Sequence, residues 1–350
     1  MISMETLVEQ LRADGRLPND WSEDDMEAVG NPLFVTIMTG LGAWLATFAF
    51  LAFYFLSSFV HVNGLADSGA MIVTGFALLG VTFLFNPIHD FSRHLRIAFS
   101  IVGQVLIIVG LYRWVPVVSI SVALIVLVEI GLFFAYNNFL LRLTALWLAI
   151  FGVVYWLNHM LLPEGIHVLV LGCAAGWSAV MLREPVWIGT PWAAAMRVLV
   201  PGLSLAVFML VLQPLRVFPA EFGLLESRGW LSGLGLTLVL VIAIRKLLQH
   251  QGLDVRSRKS MLLLVACALA GLVLMPAPGA TAGLLIIILA YSRGQSALLA
   301  FAVLYSLSYF SVFYYQLNWT LLVKSVVFFV AGLVLLSAHQ WWRRAIRNPA

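Results

Sequence analysis

From Leu33 onward the chain alternates long apolar runs with short polar breaks, and this alternation constrains the fold more than any motif does. A helix needs about 20 apolar residues to cross a bilayer. The runs fall at 33–60, 68–85, 97–112, 115–135, 143–160, 166–182, 198–213, 230–248, 261–275, 278–291, 296–313 and 320–338. They predict an all-α, polytopic transmembrane helical bundle of about twelve spans, ten to twelve. Composition agrees: 62% of the 350 residues are hydrophobic and 10% are charged. One water-soluble core cannot hide that much apolar surface, because core growth saturates near ~250–300 residues. The ninth and tenth runs flank the break Pro276-Ala-Pro-Gly-Ala280. They read equally as two short spans or as one re-entrant hairpin.

Arginine and lysine set the expected orientation. With the N-terminus inside, 16 of the 20 Lys and Arg residues fall in inner segments, and the outer loops hold only Arg113, Arg216 and Arg228. Such asymmetry across every second loop predicts an even number of spans with both termini cytoplasmic. Residues 1–32 form an acidic tail in which eight acids face only Arg12 and Arg16, and two short helices are expected there. The acidity argues against a nucleic-acid partner and suits docking of a basic partner. The tail has no apolar core segment, so no cleavable signal peptide is expected. Behind it the chain divides into a first membrane half at 33–182, an interfacial loop at 183–197, a second half at 198–338 and a basic tail at 339–350.

The two halves carry hints of a duplication into six-helix parallel repeats. Tyr155-Trp-Leu-Asn158 ends the fifth run and Tyr315-Gln-Leu-Asn318 the eleventh. Ala135-Tyr136 and Ala290-Tyr291 stand at the inner side of the two corresponding spans. The alignment places Glu164 opposite Lys324, each six residues past its asparagine, as a candidate ion pair. Lys324 lies inside the last run, where it either snorkels to the interface or faces the bundle as a cation beside Tyr314 or Tyr315. Glu129 is the acid set deepest in an apolar run, and Gln104 lies at similar depth on the preceding one. A Gln104–Glu129 hydrogen bond serves either as a structural clasp or as part of a proton or ion site.

Other features carry less. Cys173 and Cys267 lie in apolar runs without metal or redox spacing and read as buried hydrophobes. His89, Asp90 and His94 cluster in an inner loop, but two histidines five apart share no helix face, so no metal site is expected. No phosphate-binding loop, nucleophile elbow or dinucleotide fingerprint occurs in a suitable context, which argues against an enzyme, and no cofactor is expected.

Phe313-Tyr-Tyr-Gln-Leu-Asn-Trp-Thr-Leu-Leu-Val-Lys-Ser325, the following apolar run with Gly332 and the Trp-Trp-Arg-Arg344 end resemble an uncharacterised bacterial inner-membrane family, domain-of-unknown-function family 4401. The likeness is sharpest over about 290–340 and rests on hydropathy over 33–290. Members of that family are often encoded beside a second membrane protein bearing a GDYxxLxY segment. The acidic start, with Leu11-Arg-Ala-Asp-Gly-Arg-Leu-Pro18, looks like the N-terminal helix pair of a related family of unknown function. The resemblance implies a location, a helical architecture and a membrane-protein partner, but no activity. The first expectation for function is therefore a partner-binding, envelope-associated membrane component. The alternative is a secondary carrier for a small, anionic solute.

Overall fold

The computed structural model describes residues 45–53, 65–84, 90–162, 164–187, 192–212 and 229–316, with isolated positions at 38, 41–42, 190 and between 320 and 340. Among these residues the fold is all helix, without strands. The helices are α1 (Leu65–Leu84), α2 (Asp90–Trp114), α3 (Val118–Ala135), α4 (Phe139–His159), α5 (Gly165–Leu182), α6 (Glu184–Trp187), α7 (Ala193–Leu212), α8 (Gly229–His250), α9 (Arg258–Val273), α10 (Pro278–Ser292) and α11 (Ser296–Gln316). Eight of them are long and apolar enough to cross a membrane, and α9 and α10 are shorter apolar helices. These ten correspond to the ten predicted runs between 68 and 313. The acidic tail and all of the basic tail but Gln340 lie outside the described residues, as do most of the first and last predicted runs; residues 45–53, within the first, are helical.

The chain forms two compact units, Met1–Pro116 and Val117–Ala350. In the first, α1 and α2 form a close hairpin. Gly75 and Gly103 face each other across it: a Cβ on either would press against the carbonyl oxygen of the other. Gly110 meets the Ser68 carbonyl in the same way. Small residues let two helix backbones approach and gain dispersion contact where lipid offers no hydrophobic drive. Gln104 is fully buried in this unit.

The second unit opens with the α3–α4 hairpin. Asn138 is the N-cap of α4 and accepts from the Leu140 and Leu141 backbone N–H groups at 2.9 and 3.4 Å. Arg142, expected in a loop, sits in the first turn of α4 and is buried. Its Nε donates to the Tyr136 carbonyl just past α3, and its Nη2 donates to Asn137 Oδ1 at 3.4 Å. Arg293, after α10, likewise sends Nη2 to the last carbonyl of α5, Leu182 O, at 2.9 Å. Both cations meet the negative end of a helix dipole and use otherwise orphaned carbonyls. Arg293→Ala is expected to lower stability by about 1–2 kcal/mol. Arg293→Lys should recover part of that loss, as read by thermal unfolding in detergent.

Helices α5 and α8 run parallel. His167 meets Ser232 at their starts, and Gly235 packs under Leu171 one turn deeper. Helix α9 runs antiparallel to α8, with Gly271 against Thr237 and the Met275 carbonyl against Gly233. The turn between α9 and α10 thus lies level with the first turn of α8, and α10 descends again in the same sense as α5 and α8. Helix α10 is the centre of the unit: ten of its 15 residues are buried, and it packs against α5, α7, α8 and α11. Its glycines make that possible, because the Tyr309 ring lies on Gly279 and Ser306 Oγ on Gly283. Gly294, at φ 68°, ends the helix in the left-handed conformation that glycine adopts without strain. Across α7 and α11 the Phe208 and Tyr305 rings stack at 3.6 Å.

Candidate functional site

Three parallel helices, α5, α8 and α10, begin at one end of the second unit, where buried His167, Ser232 and Thr281 stand. Each helix start carries a partial positive charge from its unpaired N–H groups. Glu164, the N-cap residue of α5, makes no side-chain cap hydrogen bond. Its carboxylate lies 2.9 Å from His167 Nε2, an ion-pair distance reached without the angle of a hydrogen bond. His167 is buried, and its Nδ1 lies 2.6 Å from Ser232 Oγ on α8. The order carboxylate, imidazole, hydroxyl is that of a nucleophile relay. Here Ser232 is itself buried, and its neighbour Gly233 is pressed against the Met275 carbonyl. The trio acts as an interhelical clasp that ties α5 to α8 and leaves the Glu164 side chain half exposed.

The adjoining start of α10 differs from its neighbours in having unspent hydroxyls. Thr281 is fully buried and its Oγ1 has no hydrogen-bond partner among the described residues. Helical Ser and Thr normally bond back to a carbonyl one turn earlier. Thr144, Ser178, Ser204, Thr237 and Ser306 all do so here, at 2.7 to 2.9 Å. The Tyr309 hydroxyl comes up to the Gly279 backbone N–H without making a hydrogen bond of normal geometry. Tyr309 is 1% exposed.

The residues singled out by sequence are distributed unevenly over this frame. Glu164 belongs to the clasp. Asn158, near the end of α4, has a buried Oδ1 without a partner among the described residues. Glu129 lies on α3, 1% exposed, on a buried stripe with Ser121, Ile125 and Leu132. It stands six residues before the end of the helix, so about 9 Å from it, and its Oε2 has no partner among the described residues. Gln104 belongs to the first unit. Tyr314 and Tyr315 pack edge to face at 5.5 Å, with Tyr315 largely exposed. Lys324 and Asn318 lie outside the described residues. Of the tyrosines paired by the candidate duplication, Tyr136 is buried and Tyr291 exposed. His167, Ser232, Thr281 and Tyr309 were not singled out by sequence, and no local spacing marks them. Among the described residues no cluster of His, Cys, Asp and Glu has the arrangement of a metal site.

No curated protein and no solved structure matches the chain. A family profile does, over residues 32–345, which is nearly the whole length and all of the described helices. The chain therefore belongs to the family described as Domain of unknown function (DUF4401).

Proposed function

We propose that this is a multi-pass protein of the bacterial inner membrane, both termini cytoplasmic, that works as a secondary carrier for a small solute. The observation that carries the reading is Glu129. An ionisable residue held inside an apolar helix is costly and is kept where it serves an ion or substrate path. Glu129 is 1% exposed, and its Oε2 has no partner among the described residues. A proton or a small cation is what such a carboxylate calls for. The supporting frame is α10, a short helix behind a proline-glycine break at the heart of the unit, of the kind carriers place beside a solute. With α9 it forms two short spans. The orientation rests on the Lys and Arg asymmetry, and Arg142 and Arg293 fit it by bonding at helix C-termini on the inner side.

The test uses the full chain in proteoliposomes with a trapped pH-sensitive dye and imposed gradients of small carboxylates and zwitterions. At least one solute should move protons with the wild type, and Glu129→Gln should reduce the rate by about tenfold or more. Silence across the panel with folded wild type rejects the carrier. An undiminished response in Glu129→Gln rejects the role given to the carboxyl group.

A further inference from the structure

We propose that the opening turn of α10, Pro278 to Thr281, together with the Thr281 and Tyr309 hydroxyls, is a binding site for one small monovalent anion. The inference rests on the carrier reading for its physiological sense but stands on separate observations. Pro278 has no N–H, and the Ala280 N–H is spent on the Ala277 carbonyl at 2.9 Å. The Gly279 N–H, which the side chain of the N-cap Ala277 cannot serve, faces the Tyr309 hydroxyl. Around it stand two O–H groups, Thr281 fully buried and Tyr309 1% exposed, and neither has an acceptor among the described residues. Buried polar groups are almost always hydrogen-bonded, and an unsatisfied one costs about 1–3 kcal/mol. Two hydroxyl protons thus stand at the positive end of a helix dipole with no acceptor among the described residues. The missing partner is therefore an acceptor, and the dipole favours a negative one.

The surroundings limit its charge. The ends of α5, α7, α8 and α11 that lie at this level bring no Lys or Arg among the described residues. Arg197, Arg245 and Lys246 stand at the opposite ends of their helices. Neutral donors and one helix dipole, worth about half an elementary charge, balance a single negative charge better than two. Two hydroxyls and a helix dipole suit a carboxylate or a halide.

Thermal unfolding of the full chain in detergent, on a gluconate background, tests this with sodium acetate and sodium chloride as separate probes and sodium sulfate as the divalent control. The wild type should show a saturable rise in unfolding midpoint with acetate, chloride or both. The rise should reach about 3 °C or more at a hundredfold excess over half-saturation, and the better probe tells carboxylate from halide. Thr281→Val keeps the shape of the side chain and should leave the anion-free midpoint unchanged or higher, since only an unspent hydroxyl is lost. It should abolish the saturable rise, and Tyr309→Phe should weaken half-saturation by about tenfold or more. No saturable rise in wild type, an equal rise in Thr281→Val, or an equal response to sulfate overturns the site. No gradient is involved, so a chain that binds acetate but moves nothing refutes the carrier alone.

Discussion

Gly233→Val leaves little folded protein. A Cβ at Gly233 would run into the Met275 backbone, closest to its carbonyl oxygen. Backbone cannot swing aside as a side-chain tip does, so α8 and the α9–α10 turn must separate. Overpacking a tight core costs about 1–3 kcal/mol where side chains can yield, and here about 3 kcal/mol is the lower end. The separation would also pull Ser232 from His167 and unseat α10, on which the centre of the unit is built. The expected result is loss of the monodisperse peak in detergent size-exclusion, with any surviving fraction unfolding well below the wild type. Gly172→Ala and Gly131→Ala are the matched controls. A Cβ at either meets nothing within 4 Å, and replacing a mid-helix glycine by alanine stabilises by roughly 0.5–1 kcal/mol. A Gly233→Val protein as stable as these controls would show that α8 and the α9–α10 turn are not in backbone contact.

The contrast between these glycines shows what the amino-acid pattern carries and what it omits. The apolar runs announce the helices because each must match the thickness of a bilayer. Where a helix outlasts its run, hydropathy stops short. Helix α2 begins at Asp90, seven residues before the predicted start, since Phe-Ser-Arg-His-Leu-Arg is polar but able to continue a helix. Arg142 read as a loop cation for the same reason, although its side chain folds back on the α3 terminus. Glu129 was legible as a candidate because a carboxylate inside an apolar run is conspicuous alone, and Glu164 through the candidate duplication that sets it opposite Lys324. His167 and Ser232 were not, since their meaning lies in the parallel register of α5 and α8, which joins residues 65 positions apart. Thr281 was hidden by its ordinariness, as a threonine in a span usually satisfies itself on its own helix. Only the missing back-bond distinguishes it from Thr144 or Thr237.

Replacing Glu129 by leucine is expected to raise stability while ending transport. The carboxyl group sits on the buried stripe of α3 with Ser121, Ile125 and Leu132, and leucine is close to it in volume. A polar group buried without its partner costs about 1–3 kcal/mol, which the leucine variant recovers together with some apolar burial. Glu129→Gln removes only the capacity to ionise, so its stability should stay near the wild type while its proton-linked flux is lost. The sign separates the two roles that the sequence allows this residue. A structural clasp holds the protein together through Glu129, and breaking one should lower the unfolding midpoint in Glu129→Leu by the equivalent of about 1–3 kcal/mol. A coupling group does the reverse, because a site kept for chemistry is kept at the expense of packing. Measured in the same detergent, a midpoint that rises with leucine and a flux that vanishes with both variants assign the residue to function. A midpoint that falls assigns it to the fold, and the carrier then loses the observation on which it chiefly rests.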